Sequence, residues 1–282
     1  LRRETIAQVG GQTMRTQCFL SLYQSLLEAG LRPLVLKGIV CRSLYGPLAD
    51  WRPSSDEDVY LPPEQVERCR QVLEENGWRL SSHEDSLSLA HRLQEIAFDS
   101  DQSLRHLELH PTLFGEDDPD RKRCSNYFQN IDGRAVSITV EGQRLYTLGY
   151  TDHYLYLFLH LAKHLKGNGV GIRQILDLMQ FQRAWGANID WVEVRRVIPQ
   201  LSSPELYADV VELGRRMGFE EADPLFDTLQ PELLLEDSLE VRLFERTHRG
   251  LALTAAGRSL LQDAKYIVQY CKDSVVRARN AM

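Results

Sequence analysis

Between Leu34 and Leu61 the chain sets a lysine and a pair of acids at spacings that suit phosphate chemistry. Leu34-Val35-Leu36 runs into Lys37-Gly38, and Arg52-Pro53-Ser54-Ser55-Asp56-Glu57-Asp58-Val59-Tyr60 follows. If Asp56–Leu61 is a strand, alternation sends Asp56 and Asp58 to one face, with Cα atoms roughly 6–7 Å apart. Two carboxylates that close repel each other unless a cation lies between them. Mg²⁺ takes one or two carboxylates plus substrate phosphates. The pair therefore predicts a site for Mg²⁺ (or Mn²⁺) serving a nucleoside triphosphate (NTP). Lys37 stands at a strand-to-helix turn, where free N–H groups and a partial positive charge already favour anions. Gly38 lets a backbone approach phosphates closely, and Lys37 would add a full charge. Ser54 either bonds phosphate or fixes the strand entry. Arg52 either pairs with phosphate or anchors the loop on Asp56.

A third acid comes later. Arg105-His106-Leu107-Glu108-Leu109-His110 alternates, with Leu107 and Leu109 on one face and His106, Glu108 and His110 on the other. Beside Asp56–Tyr60, this strand would turn Glu108 toward the acid pair. Glu108 would then complete the metal set or take a proton from an attacking hydroxyl. Phosphoryl transfer needs little more than placed phosphates, neutralised charge and an activated nucleophile. Singly, each residue also reads as a solvated surface charge. The order of strand, Lys-Gly turn, helix, acid pair and acidic strand is what favours a nucleotide site.

The elements that must hold these residues are legible in outline. Residues 4–29 have helical periodicity, closed by Gly30. Leu34–Leu36 reads as a buried strand. A second helix runs from Gly38 to Tyr45 and ends at Gly46-Pro47. Pro62-Pro63 opens a helix over 64–76, with Gly77 just past its end. Strands around 95–98 and 105–110 are joined by the polar turn 99–103, and 134–140 is a further strand. After Leu148 helices dominate, over roughly 151–166, 171–185, 190–199, 204–217, 230–247 and 256–280. The segment 115–133 is charged and irregular. This predicts an α/β domain over 1–148 with a mixed sheet and flanking helices, then an all-helical domain over 149–282 that completes the cleft.

Composition sets bounds. Of 282 residues, 43% are apolar and 26% charged, as in an ordinary globular protein. A net charge of −7 gives no global field toward nucleic acid, which makes such a partner the weaker expectation. The five cysteines form no CxxC pair, which points to reduced thiols in a cytoplasmic setting and away from a zinc ribbon. The apolar run Tyr154–Ala162 contains His160 and is too short to span a bilayer, and no signal peptide is apparent.

In the second half, Asp152, Tyr156, His160 and His164 recur every four residues on one helix stripe, opposite Leu155, Phe158, Leu159, Ala162 and Leu165. The histidines read as satisfied groups at a domain interface, as contacts to nucleotide or acceptor, or as zinc ligands. The intervening Leu-Ala-Lys lacks the glutamate of a metalloprotease helix. Lys163 and Lys166 are solvated or reach phosphates. Gly167-Asn168-Gly169 and Gly171 lead into the helix bearing Arg173, either an anion-binding turn or the start of an Arg173–Asp177 ion pair.

These residues together resemble the DNA polymerase β-like nucleotidyltransferase superfamily. Within it, the chain resembles the bacterial family of uncharacterised nucleotidyltransferases, some of whose members accompany peptide-modifying gene clusters. The resemblance rests on Leu36-Lys37-Gly38, Leu44-Tyr45, Arg52 with Asp56 and Asp58, Glu108-Leu109-His110, His160 and His164, Arg173 with Asp177, and Asp190-Trp191. It covers roughly residues 15–195. The patterns Lys37-Gly38 and Arg52-x-Ser54-x-Asp56-x-Asp58 are also similar to AbiEii-type toxins. The resemblance implies transfer of a nucleoside monophosphate to a hydroxyl of a protein, peptide, RNA end or small metabolite. It also favours nucleotide or substrate contact for His160, Lys163, His164 and Arg173. Ile39 and Val40 replace the second Gly and the Ser/Thr of the usual turn, and Glu57 replaces an apolar residue, which implies a less buried strand face. A nucleotide-binding protein without transferase activity, a toxin-like enzyme acting on tRNA and a zinc hydrolase are the competing readings.

Overall fold

The computed structural model describes residues 2–52, 54, 56–81, 95–100, 105–115, 119–166, 171–217, 219, 244–247, 250–255 and 258–259. The chain divides into two compact units, Leu1–His153 and Tyr154–Met282.

The first unit is built on a mixed sheet. Its strands are β1 (Leu34–Val35), β2 (Asp56–Tyr60), β3 (Trp78–Leu80), β4 (Ile96–Ser100), β5 (Arg105–His110), β6 (Val136–Val140) and β7 (Gln143–Thr147), in the spatial order β3-β4-β5-β2-β1-β7-β6. β2 runs parallel to β5 and antiparallel to β1, and β1 runs parallel to β7. The other neighbours are antiparallel. Strand β2 is central, and Glu57, Asp58 and Val59 are all buried there.

Helix α1 (Arg2–Glu28) contributes Phe19, Leu20, Leu22, Tyr23 and Leu26 to the core. Tyr23 resolves its buried hydroxyl by donating to the Pro33 carbonyl at 2.6 Å and accepting the Tyr146 amide at 2.9 Å. One phenol thus ties together the segments entering β1 and ending β7. Helix α2 (Ile39–Ser43) is short, and its residues 39–42 are all buried. A 3₁₀ segment at Gly46–Trp51 follows, so Gly46-Pro47 opens a turn of helix there as well as ending one. Helix α3 (Val66–Glu75) buries Val66, Cys69, Val72 and Leu73 on one face, behind a 3₁₀ turn at Pro63–Gln65.

Three elements depart from the sequence expectation. Residues 119–127 form helix α4, and Trp78–Leu80 and Gln143–Thr147 are strands. Each strand is short, and its pairing partner is remote in sequence or set by the turn at Glu141-Gly142, whose φ angles are +49° and +80°.

In the second unit α5 (Tyr150–Lys166), which crosses the division between units, is followed by α6 (Ile172–Trp185), α7 (Trp191–Leu201) and α8 (Pro204–Arg216). Tyr154, Phe158, Phe181 and Tyr207 are fully buried there, and the Tyr154 and Tyr207 hydroxyls lie 3.1 Å apart. Asp190 caps α7 by accepting the Val192 and Glu193 amides, and Ser203 with Pro204 starts α8. The expected helix over 230–247 is corrected at its end: Phe244–Thr247 and Gly250–Leu253 pair as an antiparallel hairpin, β8 and β9. Phe, Thr and alternating apolar residues favour strand there over helix. The Gly167-Asn168-Gly169 turn, most of the turn 99–103 and nearly all of the expected helix 256–280 lie outside the described residues.

Candidate active site

The parallel register of β2 and β5 sets Asp56 beside His106, Asp58 beside Glu108 and Tyr60 beside His110. Cross-strand neighbours on one face lie within side-chain reach, so the acids and histidines of the two strands converge. The centre of the group is Asp58, whose side chain is 2% exposed. Lys37 Nζ lies 2.8 Å from Asp58 Oδ1 and His110 Nε2 lies 3.2 Å from the same oxygen. Glu108 Oε2 is 3.7 Å from His110 Nε2, and Glu108 Oε1 is 3.7 Å from His106 Nε2. His106 is oriented from behind, its Nδ1 2.8 Å from Asp99 Oδ1, and Ser81 donates to the other Asp99 oxygen at 2.5 Å.

Lys37 reaches Asp58 because its backbone is held on both sides. The Leu36 amide donates to the Asp58 carbonyl at 2.8 Å. The Leu36 carbonyl accepts from His153 Nε2 at 2.6 Å. Thr147 Oγ1 donates to the Val35 carbonyl at 2.6 Å and lies 3.0 Å from His153 Nδ1. Gly38 then turns the chain with φ +54° and ψ −115°, a conformation that side chains rarely adopt.

The electrostatics follow from crowding two carboxylates with two cations. Burial works against charge on Asp58, but Lys37 and His110 outweigh it and hold its carboxyl well below the usual range. Burial works against charge on His110 as well, yet its bonds to Asp58 and Glu108 raise its pKa to about 9. Burial and the neighbouring Asp58 charge push the Glu108 carboxyl up, against the His110 bond. Burial also opposes charge on His106, but the Asp99 carboxylate raises it.

Donor atoms of Asp58, Glu108 and His110 all lie within 4.8 Å of one another. Two ligands about 2.1 Å from one Mg²⁺ can stand at most about 4.2 Å apart, so a small contraction closes this group on a divalent cation. The two carboxylates suit Mg²⁺, and the imidazole makes the set equally suited to Mn²⁺. His110 must shed a proton to ligate, so metal binding here releases protons.

Among the residues singled out in the sequence, Lys37 meets Asp58 directly, and Glu108 joins them through His110. Asp56 lies on the same face but outside the three-donor group, half-exposed and beside His106. Ser54 is buried; its hydroxyl donates to the Asp56 carbonyl at 2.9 Å and its amide to Gln12 Oε1 at 3.0 Å, so it fixes the strand entry. Arg52 is buried at the same entry. The expectation of a less buried face at Glu57 is overturned: Glu57 is only 9% exposed, 2.6 Å from the Ile39 amide and 3.3 Å from Arg42 Nη2. His160, Lys163, His164 and Arg173 lie in the second unit. There the Nε2 atoms of His160 and His164 are 3.2 Å apart, while Lys163 and Arg173 are exposed. His110 received no role in the sequence expectations. Its place two residues after Glu108 on the same strand face was the available signal.

The model of a family described as uncharacterised nucleotidyltransferases matches residues 1–214. A solution structure of the antibiotic-resistance factor ANT(2'')-Ia is similar at 15% identity and a TM-score of 0.46, covering 70% of this chain and 96% of that one. A crystal structure of ANT(2")-Ia in complex with adenylyl-2"-tobramycin gives 15% identity and a TM-score of 0.45, covering 70% and 98%. A stretch of 47 residues is 53% identical to the HTH-type transcriptional regulator ClcR of Pseudomonas putida, spanning 17% of this chain and 16% of that regulator. Among the described residues, no helix is long and apolar enough to cross a membrane.

Proposed function

This chain belongs to the uncharacterised nucleotidyltransferase family, and we propose that it transfers a nucleoside monophosphate from an NTP to an acceptor hydroxyl. The acceptor oxygen bonds to the α-phosphorus, the bond from that phosphorus to the β-phosphate oxygen breaks, and pyrophosphate leaves. Lys37 binds the triphosphate. Asp58 and Glu108, with Asp56 and His110 beside them, would hold a divalent cation. When bound, that cation supplies neutralisation of the charge on the phosphates. Glu108, a carboxylate on the same strand face as Asp58, takes the hydroxyl proton in this reading.

The observation that carries the reading is the convergence of Lys37, Asp58, Glu108 and His110 on one face of two parallel strands. His160, Lys163, His164 and Arg173 are proposed contacts for nucleotide or acceptor. The acceptor class is a peptide, a protein or a small metabolite. Scattered cysteines with no CxxC pair fit a reducing, cytoplasmic setting.

The test is transfer of label from α-³²P-labelled nucleoside triphosphates to fractionated peptides, proteins and metabolites, with pyrophosphate measured in parallel. Label transfer that Glu108→Gln abolishes supports the reading. Nucleotide binding with neither transfer nor pyrophosphate release across all fractions would favour a nucleotide-binding protein instead.

A further inference from the structure

Glu57 occupies a position that chemistry reserves for an anion. It lies on the opposite face of β2 from Asp56 and Asp58, and its carboxylate reaches the turn after Lys37. Oε2 accepts the Ile39 amide at 2.6 Å. Oε1 lies 3.4 Å and 3.3 Å from the two Arg42 Nη atoms, and Arg42 is 2% exposed. A Cβ added at Gly38 would come within 2.6 Å of Glu57 Cδ and overlap its carboxylate oxygen. An amide following a glycine turn, backed by a guanidinium, is the donor set that receives a phosphate oxygen in anion-binding turns. Here every part of that set is spent on an internal carboxylate.

Burying a lone carboxylate at the centre of a sheet is strongly unfavourable. The amide and the guanidinium offset that cost, and the missing Gly38 side chain is what lets the carboxylate in. The glycine that the sequence offers for close approach of phosphate is filled from within.

We propose that Glu57 is a built-in anion that locks the Lys37–Gly38–Ile39 turn and denies its amide to phosphate. The triphosphate must then be held on the Asp58 face, by Lys37 and the acidic group, rather than cradled in the turn. This second statement rests on the nucleotidyltransferase reading; the lock itself does not.

Two experiments separate them. The first uses no nucleotide and, like the second, is run at pH 8.5, where the Glu57 carboxylate is charged. Glu57→Ala leaves Arg42 and the Ile39 amide unmatched, and the melting temperature should fall by roughly 10 °C. Formate at high concentration should restore at least half of that loss in the variant and do nothing to the native chain. If Glu57→Ala is unfolded without ligand, the same formate series should restore the folded fraction. A variant as stable as the native chain, or one that formate cannot rescue, overturns the lock. The second compares tripolyphosphate binding to Glu57→Gln and Glu57→Ala by calorimetry. Glutamine removes the charge but keeps the space filled and the amide accepted. Alanine opens both. Binding about ten-fold tighter to the alanine variant than to the glutamine variant is expected. Equal affinities would show that only charge matters and would overturn the claim that the turn is denied to phosphate.

Discussion

His153→Gln should remove a pH dependence that the native fold carries in its first unit. The imidazole is fully buried, with Nε2 2.6 Å from the Leu36 carbonyl. A carbonyl only accepts, so Nε2 carries the proton. Burial, opposed in part by that bond, lowers the pKa to about 4 from an ordinary 6.5. The unfolded chain therefore takes up a proton that the folded chain refuses. Stability is full above pH 6.5 and is lost as pH falls toward 4. The window of about 2.5 pKa units is worth about 3 kcal/mol at 1.36 kcal/mol per unit. Glu57 runs the other way: burial raises its pKa to about 7 against the Arg42 charge, so it stabilises the fold as pH falls from 7 to 4.5. The native curve mixes these with the shifts of Asp58, Glu108, His106 and His110, and the difference between native and His153→Gln isolates the histidine. A glutamine Nε2 can still donate to Leu36 but does not titrate. Urea unfolding, followed by tryptophan fluorescence and circular dichroism at half-unit steps from pH 7.5 to 4, should show the native advantage shrinking by about 3 kcal/mol. A difference that stays flat across that range would refute a neutral, proton-refusing His153.

Lys37→Met should weaken triphosphate binding by roughly 10- to 100-fold, the scale of one charged hydrogen bond, while Lys37→Arg should recover part of the loss; calorimetry decides. Gly38→Ala should destabilise the chain by about 3 kcal/mol or more, because it combines φ +54° with overlap on the Glu57 carboxylate, and adding Glu57→Ala should return only the overlap share. In the second unit, a Cβ at Gly214 would overlap the Met179 sulfur and lie 2.8 Å from its Cγ. Gly214→Ala should therefore cost about 1–3 kcal/mol by overpacking, and Met179→Ala should relieve it in the double variant.

What could be read from the sequence was whatever local alternation decides. Period two placed Asp56 and Asp58 on one face and set Glu108 apart from Leu107 and Leu109, and the helices of the second half followed from their 3.6-residue stripes. Strand register could not be read, because the pairing of Asp58 with Glu108 depends on contacts 50 residues apart in the chain. Nor could a role be read for His110, although it shares the Glu108 face, until Asp58 was seen 3.2 Å away. Glu57 misled because its type predicts exposure, whereas two donors from α2 make burial tolerable. The β8–β9 hairpin was missed because apolar residues in so short a stretch fit a helix face as easily as a strand.

Whether these acids serve a nucleotide site is decided by calorimetric titration of nucleoside triphosphates with and without Mg²⁺, on the native chain and on Asp56→Ala/Asp58→Ala. Binding should require Mg²⁺ and disappear in the double variant, with the preferred base identified by the tightest triphosphate. Because Asp58 holds Lys37 and His110, circular dichroism must show the double variant folded. Binding that ignores Mg²⁺, or that survives in a folded double variant, would contradict the assignment of these acids to the nucleotide site.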